Sequence, residues 1–185
     1  MTEPDFRPAR ADDVFPFARA LGDHAFFIDR LHRQRNGLGT LFVAWLGDRP
    51  AGDVYVWLER AEEEPIRGHL PGVPLLTHLE VHRELRNRGI GSALVATVER
   101  YLMEEGYGRV ALAVRTDNTR AARLYHRLGY VDWGHGEVVC YALTTTPDGR
   151  IHEEAELCHV LVKDLLPVMP VPRAEIRSIG ASRRF

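Results

Sequence analysis

Residues 75–102 read LLTHLEVHRELRNRGIGSALVATVERYL, and three patterns follow one another inside them. Leu75, Leu76, Leu79 and Val81 form an apolar, β-prone run. Arg86-Asn87-Arg88-Gly89-Ile90-Gly91-Ser92 is a basic loop with two glycines. From about Ser92 to Glu105 apolar residues recur at helical spacing (Leu94, Val95, Val98, Tyr101, Leu102), and Gly106 ends the pattern. A strand, a basic glycine loop and a helix N-terminus in that order suggest an anion site. The first turn of a helix leaves backbone N–H groups unpaired, and its aligned dipoles add partial positive charge there. Gly89 and Gly91 lack Cβ, so the chain can take φ > 0 or approach a phosphate closely. Arg86 and Arg88 add charge, and a guanidinium can bridge two phosphate oxygens.

Spacing separates three kinds of phosphate loop. A Walker loop needs a Lys-Ser/Thr pair after its last glycine, but Ser92-Ala93 follows Gly91. The dinucleotide pattern G-x-G-x-x-G needs a third glycine where Leu94 stands. What remains is Arg86-x-x-Gly89-x-Gly91 after a strand. Further on, Arg109 to Val114 reads as another strand, and Thr116-Asp117-Asn118 caps a helix carrying Ala121, Ala122, Leu124, Tyr125 and Leu128 before Gly129-Tyr130. Strand, helix, strand, helix is the order of a parallel crossover unit.

The first pattern, with Val81 on the strand before it, resembles the coenzyme A pyrophosphate loop of the GNAT superfamily of acyl-CoA-dependent N-acyltransferases. The second, Asn118-x-x-Ala121-x-x-Leu124-Tyr125-x-x-x-Gly129-Tyr130, is similar to that superfamily's other signature. The resemblance covers roughly Phe6 to Lys163 and implies an α+β fold. Its mostly antiparallel central sheet would have six to seven strands, two of them parallel, central and splayed, with about four flanking helices. It implies acetyl-CoA as acyl donor, with the pantetheine arm in the splay bonded to backbone at Leu79 and Val81. The pyrophosphate would lie on the amides of Arg86, Asn87, Arg88, Gly89, Ile90, Gly91 and Ser92, Asn118 near the arm, and Tyr125 near the thioester sulfur. No metal is implied.

A tyrosine suits that place. As an amine attacks the thioester, negative charge leaves on sulfur, and a neighbouring hydroxyl can donate to it. A phenol near pKa 10 and a thiol near 8.5 differ by roughly 2 kcal/mol, a modest uphill transfer. The base is harder to assign. A lysine-like amine is neutral at pH 7 only at a cost of about 4.6 kcal/mol, so something must take its proton. The strand positions that supply a base in family branches match Leu75, Thr77 and Ala113 here, none of which can serve. Strand alternation, unless a bulge intervenes, puts His78, Glu80 and His82 on one face and Thr77, Leu79 and Val81 on the other. Glu80 and His78 are therefore the candidate bases, against a reading in which they are tied up in structural hydrogen bonds. The expected activity is transfer of an acetyl group from acetyl-CoA to a primary amine, small or on a protein, by direct attack with Tyr125 as general acid. The competing reading is an acyl-CoA-binding sensor without turnover.

Outward from this centre the chain begins with a short strand near Phe6. Asp12 or Asp13 then caps a helix bearing Val14, Phe17, Ala18 and Leu21, and a second helix with Phe26, Phe27 and Leu31 stops near Asn36-Gly37. Leu41 to Leu46 and Asp53 to Leu58 form a hairpin across Gly47-Asp48-Arg49-Pro50. Between Glu59 and Pro74, Glu59, Glu62, Glu63 and Glu64 precede a Pro/Gly-punctuated segment that reads as a loop; it is either simply solvated or a lure for a cationic amine. Glu137 to Thr144, a turn at Thr146-Pro147-Asp148-Gly149, and Cys158 to Lys163 read as the last hairpin. The expected domain is 1–164, followed by a tail, 165–185, rich in Pro and Arg. That tail is either a loosely packed terminus or an arm to the partner of a homodimer.

Length and composition fit one compact enzyme: 185 residues, 45% hydrophobic, with a formal net charge of −2 that argues against general nucleic-acid binding. Cys140 and Cys158 make no disulfide framework. No apolar run is long enough for a bilayer and the N-terminus lacks a signal-like pattern, so the expectation is a cytoplasmic protein without a membrane partner.

Overall fold

The computed structural model describes residues 3–145 and 151–165. Its strands are β1 (Pro4–Pro8), β2 (Gly39–Leu46), β3 (Arg49–Trp57), β4 (Leu75–Val81), β5 (Arg109–Arg115), β6 (Val131–Thr145) and β7 (Ile151–Asp164). Its α-helices are α1 (Val14–Leu21), α2 (His24–Arg35), α3 (Glu64–His69), α4 (Ile90–Glu104) and α5 (Thr119–Arg127). The strands form one sheet in the order β1-β2-β3-β4-β5-β7-β6. All neighbours are antiparallel except β4 and β5, which are parallel and in register only at Leu75 and Ala111. Beyond that point the two central strands splay, as the resemblance implies.

Alternation along the strands sends side chains to two layers. Leu41, Val43 and Tyr55 pack with Phe17, Phe27 and Leu31 of α1 and α2 on one face. Phe42, Ala44, Val54 and Val56 pack with Leu94, Val95, Val98 and Leu102 of α4 and with Tyr125 of α5 on the other. The helix stripe expected for α4 is thus buried, with Leu94, Val95, Val98 and Leu102 all at 0% exposure.

The structure corrects several expectations. The segment after β3 is not all loop: α3 occupies Glu64–His69, with Pro65 in its first turn, where a missing N–H costs nothing, and Ile66 as its buried anchor. β3 starts at Arg49, β6 at Val131 and β7 at Ile151, because pairing carries each strand beyond its apolar centre. Asp13 occupies the N-cap position of α1, but its side chain makes no bond to the helix amides. Its buried carboxylate accepts from Arg10 N, Arg7 and Trp45 Nε1 and so ties β1, the turn before α1 and β2 together. The turn at Thr146 to Gly149 and residues 166–185 of the expected tail lie outside the described residues. Leu165 still belongs to the core, its N–H donating to Gly108 O at 2.8 Å.

The alternation expected along β4 is also broken. Tyr55 pairs with Thr77 and Asp53 with Glu80, so His78 and Leu79 together oppose Val54 alone. His78 absorbs this bulge with φ = 45°. Cross-strand partners share a face, so Thr77 and Glu80 both lie on the α1/α2 side, while Leu79 and Val81 pack towards α4.

Candidate active site

The splay between β4 and β5 opens into a cleft of about 940 Å³. Leu79, Val81, Arg86, Asn87, Gly89, Ile90, Gly91, Ser92, Asn118, Tyr125, Glu80 and His78 all line it. Of the residues expected at the site, Arg88 alone stands off the wall, exposed to solvent.

The loop owes its shape to identifiable groups. His82 donates its N–H to Ala51 O in β3, so the amide and carbonyl of Val81 turn the opposite way, into the splay. Arg86 Nε donates to Val81 O at 2.9 Å and folds the loop back over the strand end. Asn87 sits at φ = 62°, its Oδ1 accepting from Arg120 Nη2 at 3.0 Å. Gly89, at φ = 82°, occupies the N-cap of α4. The first intrahelical bond runs from Ala93 N–H to Gly89 O, which leaves the amides of Ile90, Gly91 and Ser92 aimed at the cleft mouth. At Gly91 an added Cβ would meet Val81 Cγ2 at an ordinary 3.5 Å, so the fold itself does not demand glycine there.

The opposite wall is α5. Asn118 Oδ1 caps it by accepting from Ala121 N at 3.1 Å, which spends the asparagine's oxygen on the helix and leaves its amide nitrogen near the cleft. Two turns on, Tyr125 is 7% exposed, its ring edge-on to Tyr130. Burial pushes its phenol above the ordinary value, so the hydroxyl keeps its proton at physiological pH. Arg120, Arg123 and Arg127, on the same helix, add three guanidinium groups to that of Arg86, while Glu80 is the one carboxylate on the described walls. The helical spacing 120, 123, 127 carries that signal in the sequence.

At the strand end, His78 stacks on Phe26 of α2 with ring centroids 3.9 Å apart. Its Nε2 lies 3.5 Å from Asp53 Oδ2 and 3.8 Å from Glu80 Oε2. Asp53 is 0% exposed, and neither of its oxygens has a hydrogen-bond partner among the described residues. Desolvation, with Glu80 beside it, holds the Asp53 carboxyl well above the usual carboxylate range. Desolvation and the nearby Arg30 hold the His78 imidazole below its usual value, so the ring is neutral at pH 7. The acidic segment does not reach this place. None of Glu59, Glu62, Glu63 and Glu64 lines the cleft, and Glu59 is paired with Arg33. Among the described residues no group of three or more His, Cys, Asp or Glu side chains could hold a metal.

A parallel pair splayed over a glycine loop, with a capped helix presenting a buried tyrosine, defines an acyl-CoA-dependent transferase scaffold. The chain matches the model of the Acetyltransferase (GNAT) family over residues 6–130 and belongs to that family. It is 35% identical over 69 residues to the mycothiol acetyltransferase of Arthrobacter sp. (strain FB24), a match covering 37% of this chain and 21% of that protein. The chain thus spans about a fifth of that relative's length. Among solved structures it resembles the ribosomal-protein-S18-alanine N-acetyltransferase of Escherichia coli, with a TM-score of 0.63 and 15% identity over 91% of this chain and 98% of the other. It also resembles a Bacillus subtilis acetyltransferase in complex with CoA, with a TM-score of 0.57 and 16% identity over 89% and 100%. A third likeness is a GNAT acetyltransferase from Elizabethkingia anophelis with acetyl-CoA bound, with a TM-score of 0.58 and 14% identity over 89% and 100%.

Proposed function

We propose that the protein moves an acetyl group from acetyl-CoA to a primary amine by direct attack in a ternary complex. The observation that carries this reading is the single cleft that gathers the loop amides of Gly89 to Ser92, the backbone edge of β4, Asn118 and the Tyr125 ring. Coenzyme A is long and polyanionic at one end and carries a thioester at the other. The cleft is polar in the same sense, with Arg86, Arg120, Arg123 and Arg127 towards the loop and α5, and His78 and Glu80 on β4. The CoA and acetyl-CoA held by structural neighbours, and the acetyl transfer named in the curated relative, support the same donor.

In this reading Val81 and Leu79 bond the pantetheine arm and the Ile90, Gly91 and Ser92 amides hold the pyrophosphate. Tyr125, protonated because it is buried, donates to the departing sulfur. His78 and Glu80 in the same cleft as Tyr125 offer the acceptor ammonium a group to take its proton, which supports an enzyme over a sensor that binds acyl-CoA without turnover. The acceptor is an amine approaching from the α1/α2 side. Thermal unfolding with acetyl-CoA, CoA, ATP and NADH tests the donor: a ligand at a hundred times its Kd adds about 2.7 kcal/mol, a shift of several degrees. Stabilisation by acetyl-CoA and CoA alone, followed by thiol release with some member of an amine panel, is the expected result. No shift with either would remove the loop assignment, and a shift without thiol release on any amine would leave the sensor.

A further inference from the structure

We propose that Asp53 is the proton-holding partner of His78: the acceptor ammonium gives up its proton to the imidazole, which relays it to the buried carboxyl of β3. This rests on the acetyltransferase reading and adds to it a residue that acts through another, positioning His78 and storing its proton.

The structural roles open to Asp53 are vacant. Among the described residues it caps no helix, takes no backbone N–H and pairs with no arginine, although it is 0% exposed in the middle of a strand. A buried carboxyl without partners opposes folding, and such a group marks a functional demand more often than a packing one. Asp53 meets the cleft lining at His78 Nε2, 3.5 Å away, and at Glu80, its register partner. The β4 bulge exists at this spot. His78, a non-glycine residue at φ = 45°, is turned to the Asp53 side and clamped there by the Phe26 ring at 3.9 Å. The charged and titratable neighbours are Glu80 on β4, Arg30 on α2, Asp23 at the start of α2 and Tyr55 on β3. Arg30 is held by Asp29 and by the rings of Phe26, Tyr55 and Trp57, so it does not neutralise Asp53.

The protons balance. One N–H bond of the acceptor ammonium breaks and its proton goes to His78 Nδ1, while the Nε2 proton passes to Asp53 Oδ2. The nitrogen lone pair then forms the C–N bond, the C–S bond breaks with its electron pair on sulfur, and Tyr125 protonates the thiolate. The adduct's second N–H proton restores Tyr125, and Asp53 returns its proton to solvent through His78. A raised carboxyl suits the task, since a base poised nearer neutrality accepts a proton from an ammonium at less cost than an ordinary carboxylate does.

The test titrates protein labelled with 13C at the aspartate carboxyls, in the wild type, Asp53→Asn and His78→Gln, without substrate. It is followed by pH profiles of kcat/KM on whichever amine releases thiol. The expected result is one carboxyl with a midpoint well above the usual carboxylate range, absent in Asp53→Asn and shifted in His78→Gln. Asp53→Asn should lose roughly a hundredfold in kcat/KM and move its acidic limb. The double variant should lose no more than the worse single one, and CoA should stabilise all variants equally. If Asp53→Asn does not fold, the shift of that resonance in His78→Gln identifies it. A wild-type Asp53 carboxyl titrating near 4, an Asp53→Asn enzyme within twofold of wild type, or additive losses overturn the proposal. No thiol release by the wild type on any amine sinks the acetyltransferase reading itself, a failure distinct from the carboxyl titration.

Discussion

In the proposed reaction Tyr125 brings one polar atom to the place where charge leaves on sulfur, and its burial sets what that atom can do. Low dielectric disfavours the phenolate, so the hydroxyl stays protonated well above neutral pH and contributes no basic limb to the rate profile below about pH 10. Tyr125→Phe keeps the ring and its edge-on contact with Tyr130. Its expected outcome is a loss of roughly 10²-fold in kcat with acetyl-CoA affinity nearly unchanged, read by steady-state kinetics beside a binding titration; unchanged turnover would take Tyr125 out of the mechanism. The sequence offers Tyr125 and Asn118 through their places in the second GNAT-like signature, and the structure brings both to the cleft wall. It offers no such mark for Asp53. It is a lone carboxylate at one edge of an apolar run, where strand alternation makes a polar residue look solvent-facing, and only the register with Glu80 shows that it points under α2. The base question, framed in the sequence as His78 or Glu80, therefore lacked the residue the geometry adds.

At the scale of elements, the strand, loop and helix from β4 to α4 read correctly because each step leaves a local mark: a β-prone run, then glycines, then a 3.6-residue stripe. The bulge at His78 and the helix α3 did not. A bulge is set by pairing with β3, and α3 is six residues long with Gly68 inside it, too short for periodicity to register. The two glycines of the loop, alike in sequence, separate here. Gly89→Ala forces an L-residue to φ = 82° and costs about 1–2 kcal/mol of stability, along with CoA affinity. Gly91→Ala puts its methyl at 3.5 Å from Val81 in ordinary contact, inside a helix that favours alanine over glycine by up to about 1 kcal/mol. It should leave Tm unchanged or slightly raised and still weaken CoA, because the methyl would stand in the proposed path of the pyrophosphate. Thermal unfolding with and without CoA separates the cases. A Gly91→Ala variant that binds CoA like wild type would move the pyrophosphate away from that amide.

For the whole molecule, two buried aspartates pull stability in opposite directions as pH changes. Asp13 accepts from Arg7 at 2.7 and 2.8 Å. Although desolvation alone would raise it, the bonds from Arg7, Arg10 and Trp45 win, and its folded pKa lies below the unfolded value. Its contribution is therefore full above about pH 4 and is lost as pH falls through the folded pKa. Asp13→Asn should cost about 2–3 kcal/mol at pH 7, with the deficit shrinking in acid. Asp53 has the reverse sign. Its folded pKa is raised, so the stability tied to its proton is full below about pH 4 and is lost as pH rises through the folded value. Above that folded value the fold carries the cost of a carboxylate with no donor among the described residues. Asparagine is neutral like the protonated acid, so Asp53→Asn should match wild type near pH 4 and melt higher at pH 8, by about 2–4 °C for each kcal/mol released. A variant more stable and less active is what a site maintained for proton transfer produces. Unfolding scans of both variants across pH 4–8 read the two slopes together, and an Asp53→Asn protein that melts lower than wild type at pH 8 would make Asp53 a structural residue after all.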